Sequence, residues 1–338
     1  MTRLLTCAAV LALAGCATGQ PYEPVLHGET MGSAWTVRIA GDSIATLPVA
    51  ALRDGVQAQF DAVDQALSTW RPDSALSRFN ADDSGAWVDI DPELAEVMSY
   101  GLGLAGSSGG AYDLTVGPLV NLWGFGPDPG RDVAPEPAAV EAARARVGWR
   151  KVEVDLPRHR ARKAPGVRVD LSSLGKGRGV DRVARYLDAQ GVANYLIDLS
   201  GKLRARGANA SHRPWLVGVE QPAADDPSGA PRAVPARVSL RDTSIATSGD
   251  YRKYFESGGR HFSHIIDPRT GWPVTHATLS ATAIANTCME ADALATVFMV
   301  MAPDDALQLA GSRRIPALLI SRDAAGYRLR RSAAWPED

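Results

Sequence analysis

Apolar patterns typical of strands and of helices are mixed along this chain without regular alternation. This mixture is the sequence feature that most limits the possible folds. Six stretches have the length and composition of β-strands: 34–39, 194–199, 234–240, 277–285, 315–320 and 327–331. The last two are close enough in sequence to predict a hairpin. Four others have helical spacing: 56–67, 92–105, 180–191 and 290–301, the last apolar nearly all round and so predicted to be buried. A doubly wound parallel sheet requires strands and helices in strict alternation. The sequence therefore predicts an α+β fold, with mixed β-sheets packed with helices in a single unit.

The N-terminus predicts export and lipid attachment. Arg3 precedes an apolar run over 4–13, which is shorter than the roughly 20 residues of a membrane-spanning helix. The run ends in Leu-Ala-Gly-Cys at 13–16, which resembles a bacterial lipobox; an ordinary signal peptide that happens to contain Cys16 is the alternative. We predict a lipoprotein signal peptide over 1–15, lipid on Cys16, a tether over 16–27, a folded domain over 28–338, and a location on the periplasmic side of the cell envelope.

Composition excludes several classes of function. The net charge is −2 with both signs interspersed, so no basic surface for nucleic acid is predicted. Once Cys7 leaves with the signal peptide and Cys16 carries lipid, Cys288 is alone and no intramolecular disulfide is predicted. Two proline-rich stretches, 127–137 and 221–235, lack apolar periodicity and are predicted to be surface loops.

The segment 170–181 (DLSSLGKGRGVD) is the strongest local signal for ligand binding. It predicts a strand-like stretch, a glycine-rich turn and then a helix, so that backbone N–H groups at a positive helix end are available to phosphate oxygens. Lys176 and Arg178 add positive charge. The spacing is neither that of a P-loop nor that of a Rossmann motif. Taken alone, such a segment is more often a simple helix start than a phosphate site.

Asp292 and Thr296 lie four residues apart on a predicted helix and therefore on one face. Two oxygen ligands in apolar surroundings suit a hard cation such as Mg²⁺, which completes its shell with phosphate and water. The alternative is an acidic residue near a helix start, stabilised by the helix dipole, with a threonine bonded to its own helix. Spacing alone favours that alternative.

Three further segments contain candidate ligand or catalytic residues. His264 precedes the turn sequence at 267–271 and is a candidate general base, although a strand histidine bonded to a backbone carbonyl is the commoner case. Trp70 and Tyr112 are candidates for stacking on a flat ring system beside flexible glycines. Core packing is the usual role of such aromatic residues.

Taken together and in order, these segments resemble the ApbE family of FAD:protein FMN transferases, which are periplasmic and often lipid-anchored. The matching segments are 31–33, 68–70, 110–113, 170–181, 246–251, 264–271 and 291–296. The resemblance covers roughly residues 28 to 320, which is nearly the whole mature chain. Accidental agreement of so many segments in this order is not expected.

The resemblance implies a role for each matching residue. FAD is expected to contact Met31, Trp70, Ala111, Tyr112, Asp113, Asp170, Lys176 and Ile266. Mg²⁺ is expected between Asp292, Thr296 and oxygen atoms of Ser173 and Gly175, which makes the helical pair and the glycine-rich segment two halves of one metal–pyrophosphate site. His264 is the expected base, with Asp267 as the other candidate.

The implied reaction transfers the FMN half of FAD to a threonine or serine hydroxyl of an acceptor protein through a phosphodiester bond and releases AMP. Implied acceptors are membrane redox subunits with a segment similar to Ser/Thr-Gly-Ala-Thr/Ser. Two other functions would use the same residues. One is a Mg²⁺-dependent FAD pyrophosphatase that produces FMN and AMP, and the other is a non-catalytic periplasmic flavin-binding lipoprotein.

Four positions depart from the family pattern. Ser200-Gly201-Lys202 stands where the family usually has Gly-Gly-Glu, which changes the local charge by two units. Gly175 replaces a usual alanine, and Arg178 replaces a usual aromatic residue. Because the metal pair and His264 are present, the chain is predicted to be an active member.

Overall fold

The computed structural model describes residues 23–41, 48–127, 133–222, 233–250, 253–323 and 326–337. The predicted signal peptide, the lipid-bearing Cys16, most of the tether, Tyr251 and parts of both proline-rich loops lie outside the described residues. The first strand begins at Val25, three residues ahead of the predicted domain boundary at 28.

The described strands form one large sheet and three small ones. In chain order they are β1 (Val25–Thr30), β2 (Ser33–Ile39), β3 (Val88–Asp89), β4 (Val152–Asp155), β5 (Arg160–Lys163), β6 (Tyr195–Leu199), β7 (Lys202–Arg206), β8 (Trp215–Val219), β9 (Ala236–Leu240), β10 (Ser244–Gly249), β11 (Tyr254–Ser257), β12 (Arg260–Ser263), β13 (Thr278–Ala285), β14 (Ala317–Asp323) and β15 (Gly326–Arg331). The large sheet has the order β1-β2-β6-β7-β10-β13-β14-β15, and the small sheets are β3-β5-β4, β8-β9 and β11-β12. Every described strand pair is antiparallel.

The described helices are α1 (Val49–Leu67), α2 (Ala75–Ala81), α3 (Pro92–Ser107), α4 (Gly117–Leu122), α5 (Pro137–Arg144), α6 (Ser172–Ala189), α7 (Cys288–Val300) and α8 (Pro303–Ser312). The predicted α+β class and the predicted closing hairpin of β14 and β15 are confirmed. The apolar α7 is buried on nearly every side, as its composition predicts. None of the described helices is both long and apolar enough to cross a bilayer.

The glycine-rich segment is helical, and the turn predicted there is wrong. Helix α6 begins at Ser172 and includes all three glycines of the segment. A Cβ atom on Gly177 would lie 2.5 Å from the carbonyl oxygen of Cys288 and 2.6 Å from the Cα atom of Met289. The missing side chain therefore lets the backbones of α6 and α7 touch, and this contact outweighs the low helix propensity of glycine, about 1 kcal/mol per residue.

The core is layered around the large sheet. Helices α1 and α6 pack against β2 and β6 through buried side chains such as Phe60, Val183 and Val37. On the other face, the β8–β9 hairpin buries Trp215 and Val238 against residues of the sheet that include Leu318. Full burial of one such side chain stabilises the fold by roughly 1.5–3 kcal/mol. These layers hold α6, α7 and the hairpin around one opening.

Candidate active site

A cleft of about 1220 Å³ lies among α6, α7, β8, β10 and the loops that follow α1 and α3. It exceeds the roughly 300–1,000 Å³ that is usual for small-molecule sites and therefore suits a dinucleotide. Thirteen of the fourteen ligand and catalytic residues predicted for the domain line it: Met31, Trp70, Ala111, Tyr112, Asp113, Asp170, Ser173, Gly175, Lys176, His264, Ile266, Asp292 and Thr296. Segments that are distant in sequence thus form one site.

The N-terminal end of α6 faces this cleft. Its N-cap residue, Leu171, makes no side-chain hydrogen bond to the following amides, so the positive end of the helix dipole is only partly compensated. Asp170 accepts a hydrogen bond from the Ser172 amide at 2.8 Å and holds the chain that leads into the helix. One turn further, the ammonium of Lys176 donates to the hydroxyl of Ser33 at 2.8 Å. Amide groups and an ammonium at one helix end are suited to bind phosphate.

Arg178 does not line the cleft, contrary to the prediction that it adds charge to the phosphate site. Its guanidinium pairs with Glu93 and Glu96 on α3. Arg182, one turn later on α6, also pairs with Glu93, at 2.8 Å. These contacts join α6 to α3, so Arg178 stabilises the helical layer rather than the ligand.

Asp292 and Thr296 lie side by side on the face of α7 that closes the cleft. The Asp292 side chain is only 3% exposed, and one of its oxygens, Oδ2, accepts a hydrogen bond from the Gly177 amide at 3.1 Å. Burial raises the pKa of Asp292, whereas the nearby Lys202 lowers it. The hydroxyl of Thr296 donates to the Asp292 carbonyl at 3.1 Å, which is the back-bonding expected of a helical threonine.

The other oxygen of Asp292 faces an ammonium group. Nζ of Lys202 lies 3.2 Å from Asp292 Oδ1 and donates to the carbonyl oxygen of Thr247 at 2.5 Å. Ser200 and Gly201 have positive φ values of 52° and 83°, which is the geometry of a two-residue hairpin turn between β6 and β7. This turn fixes Lys202 at the start of β7, and its side chain is only 11% exposed. The Ser-Gly-Lys departure therefore places a cation at the predicted metal site.

His264 lies in the cleft with one ring nitrogen already bonded. Its Nδ1 is 3.0 Å from the carbonyl oxygen of Lys253. Because a carbonyl only accepts, Nδ1 carries the proton and the lone pair of Nε2 is available to a substrate. Burial lowers the pKa of His264 to about 4, so the ring is neutral at pH 7. A neutral, oriented imidazole has the properties of a general base.

Asp267 is the predicted site residue that does not line the cleft. Both of its oxygens accept hydrogen bonds from the guanidinium of Arg269, with Nε–Oδ1 at 2.9 Å and Nη2–Oδ2 at 2.8 Å. Oδ1 also accepts from the Arg269 amide at 2.9 Å. The carboxylate therefore orders the turn that follows Ile266.

Three residues at the rim and wall of the cleft have different roles. Trp70 is 62% exposed and presents an open ring for stacking. Tyr112 is buried, and burial raises the pKa of its hydroxyl. The Asp113 carboxylate accepts hydrogen bonds from the Thr115 hydroxyl at 2.6 Å and from the Trp149 amide at 2.9 Å, so it holds the loop that forms this part of the cleft wall.

Sequence reasoning missed part of the cleft wall. Asp198 and Glu220 line the cleft, and burial raises the pKa of Asp198 with a further contribution from Glu220. A signal for Asp198 exists: Ile197 and Leu199 are buried on one side of β6, so the residue between them faces the other side. No comparable signal in the sequence assigns β8 to the cleft.

Comparisons with known proteins agree with this geometry. The sequence model of the ApbE family matches residues 31–319. An FAD:protein FMN transferase of Klebsiella pneumoniae is 38% identical over 330 residues, covering 95% of this chain and 92% of that protein. The one from Escherichia coli K12 is 36% identical, covering 97% and 94%.

Solved structures give the same result. The flavin transferase ApbE from Vibrio cholerae superposes with a TM-score of 0.82 at 35% identity, covering 93% of this chain and 99% of that one. The apo flavinyl transferase ApbE of Pseudomonas stutzeri gives a TM-score of 0.82 at 34% identity, covering 94% and 96%. Because it shares its fold and nearly its whole length with these proteins, and the family model matches residues 31–319, this chain belongs to the ApbE family.

Proposed function

We propose that this chain transfers the FMN half of FAD to a serine or threonine hydroxyl of an acceptor protein and releases AMP. The observation that carries the proposal is that one cleft joins three groups: the N-terminal end of α6, the buried Asp292 on α7, and a neutral His264. Each group matches one requirement of phosphoryl transfer, namely phosphate binding, metal binding and proton removal. The names of the relatives support the same reaction.

His264 accepts the proton in the proposed step. The acceptor hydroxyl gives its proton to Nε2 while its oxygen bonds to the FMN phosphorus. The bond from that phosphorus to the bridging pyrophosphate oxygen breaks, and AMP leaves with that oxygen. Lys253 holds the imidazole in the required tautomer through its carbonyl oxygen.

The donor set at Asp292 fits a hard cation. Oxygen atoms of Asp292, Thr296, Ser173 and Gly175 are the proposed Mg²⁺ ligands, and oxygen is the donor that Mg²⁺ prefers. The described residues contain no cluster of three or more His, Cys, Asp or Glu side chains, so neutral oxygens and FAD phosphate must complete the shell. When bound, Mg²⁺ neutralises charge on the pyrophosphate and on the leaving AMP.

The remaining parts of the proposal concern partners and location. The acceptor is a membrane redox protein with a Ser/Thr-Gly-Ala-Thr/Ser-like segment, and the enzyme is anchored by lipid on Cys16 at the periplasmic side of the envelope. Cell fractionation tests the anchor: a Cys16→Ser chain should move from the membrane to the periplasmic fraction. Retention of the variant in the membrane would contradict lipid attachment at Cys16.

Intact-protein mass spectrometry of an acceptor tests the reaction. The acceptor is incubated with the enzyme, FAD and Mg²⁺, and a matched acceptor carries alanine or valine in place of the modified hydroxyl residue. We expect a gain of one FMN phosphoryl group on the first acceptor only, and no gain with EDTA. FMN and AMP without a modified acceptor would show a pyrophosphatase, and intact bound FAD would show a flavin carrier.

A further inference from the structure

We propose that Lys202 is an internal counter-ion of Asp292, which a divalent cation must displace in order to bind. This inference rests on the proposed function, because that function assigns a cation to Asp292. The presence of Asp292 and Thr296 alone would predict ready binding of a cation. With Lys202 in place, we expect weak cation binding in the absence of FAD.

The contacts of the Lys202 ammonium resemble those of a bound cation. Its Nζ contacts a carboxylate oxygen of Asp292 at 3.2 Å and the carbonyl oxygen of Thr247 at 2.5 Å. Neither side chain is open to water, with Lys202 11% and Asp292 3% exposed. In such surroundings two opposite charges attract strongly because little solvent screens them. A second cation at the same carboxylate oxygen would be repelled until the ammonium moves away.

The backbone positions Lys202 firmly. The two-residue turn at Ser200 and Gly201 pairs Lys202 with Leu199, and on the other side Lys202 pairs with Ala246 of β10. The start of β7 is therefore held from both neighbouring strands, and only the flexible side chain of Lys202 is able to leave Asp292. The same cleft receives the α6 N-terminus and also contains Asp198, so an ammonium released from Asp292 would face both this carboxylate and the pyrophosphate of a bound FAD.

The consequence is a coupled order of binding. The protein can bind the cation only while the ammonium is away from Asp292. The apparent affinity for the cation is therefore the intrinsic affinity multiplied by the fraction of molecules in that open state. An ion pair formed in about nine molecules of ten lowers the apparent affinity about tenfold. FAD pairs with the ammonium and so raises the affinity for the cation, and by reciprocity the cation raises the affinity for FAD.

Mn²⁺ binding to the FAD-free protein tests the inference, with the free ion followed by electron paramagnetic resonance at pH 8. Lys202→Met removes the ammonium and keeps the aliphatic stem. Lys253→Met is the matched control, because it removes the same charge from the same cleft without touching Asp292. Lys202→Gln is a second variant, and thermal unfolding checks that each variant is folded.

We expect Lys202→Met and Lys202→Gln to bind Mn²⁺ at least about tenfold more tightly than the natural chain, Lys253→Met to leave the affinity unchanged, and Asp292→Asn to remove the gain. Equal Mn²⁺ affinity with and without the ammonium would overturn the inference, and so would a change confined to FAD affinity. No Mn²⁺ binding to any folded variant would also overturn it. FMN transfer to the acceptor is scored separately, so a failure of the transferase proposal is distinguishable from a failure of this one.

Discussion

The carboxylate of Asp181 on α6 caps α7 at Cys288. Oδ1 accepts a hydrogen bond from the Cys288 amide at 2.7 Å, and Oδ2 accepts one from the Met289 amide at 2.9 Å. An acidic side chain at a helix N-terminus satisfies free amides and opposes the positive end of the dipole. Since α7 carries Asp292, this contact sets the position of the predicted metal pair relative to α6.

Asp181→Ala should therefore destabilise the protein and weaken its site together. We expect a loss of about 1–3 kcal/mol in the free energy of unfolding, because buried amides lose their partner. Urea denaturation measures that loss, and Mn²⁺ binding measures the site. Asp91 is the control, because its carboxylate also accepts hydrogen bonds from two N-terminal amides of a helix, here its own helix α3, outside the cleft. Asp91→Ala should lower the free energy of unfolding by a similar or smaller amount and leave the Mn²⁺ affinity unchanged. An equal loss of Mn²⁺ affinity in both variants would contradict a specific role of Asp181 in positioning α7.

Two glycines of α6 should respond in opposite ways to alanine. A Cβ atom on Gly177 would lie 2.5 Å from the Cys288 carbonyl oxygen, and backbone cannot give way cheaply. A Cβ atom on Gly175 has no neighbour within 4 Å. We expect Gly175→Ala to stabilise the helix by roughly 0.5–1 kcal/mol and Gly177→Ala to destabilise the protein by more than that. Chemical denaturation of both variants measures these changes in the free energy of unfolding. Comparable changes for the two substitutions would exclude close packing as the role of Gly177.

His264 should support transfer well below pH 6.5. Burial lowers the pKa of this residue from 6.5 to about 4, so the imidazole remains an unprotonated base until the pH approaches that value. The acid limb of kcat/KM should therefore lie near pH 4 to 5. His264→Gln should slow transfer about 100- to 10,000-fold with FAD affinity retained. An acid limb at pH 6.5 in the natural chain would contradict the lowered pKa of this ring.

The same shift predicts a loss of stability in acid. The unfolded chain takes up a proton on His264 near pH 6.5, whereas the folded chain does so only near pH 4. The folded state is therefore disfavoured progressively as the pH falls between these two values. The free energy of unfolding of His264→Gln should fall less than that of the natural chain over this range. Parallel curves for the two proteins would show that the ring titrates normally in the fold.

The order of apolar and polar residues along the sequence predicts some helices and strands of this fold. Other elements depend on contacts with residues that are distant in sequence. Helix α7 was predictable because it is apolar on nearly every side, and the β14–β15 hairpin because both strands flank a short turn. The start of α6 was not, because its glycines oppose a helix locally and only the neighbouring backbone of α7 explains them. Strand β1 has no clear alternation of apolar residues and is defined by its pairing with β2.

The site shows the same division. Ordered motifs predicted which residues meet, and thirteen of the fourteen line one cleft. Their individual roles depend on partners that spacing does not indicate. The Asp267 carboxylate accepts hydrogen bonds from Arg269, and the Asp113 carboxylate accepts them from Thr115 and the Trp149 amide. Both carboxylates therefore order loops. The contact of Lys202 with Asp292 joins two elements that are distant in sequence, and only the antiparallel order of the sheet brings them together.

A double-mutant cycle on Lys202 and Asp292 should show strong coupling in stability. Removing one partner leaves a buried charge without its counter-ion, which typically costs about 3–5 kcal/mol, whereas replacing both charges with neutral groups is often nearly neutral. We therefore expect Asp292→Asn and Lys202→Met each to lower the free energy of unfolding, and the double variant to be more stable than either. Denaturation in EDTA measures the cycle without bound cation. Mn²⁺ should then rescue Lys202→Met, because the ion replaces the lost ammonium, but should not rescue the double variant, which lacks the carboxylate. Additive losses without rescue would mean that the two charges are held independently.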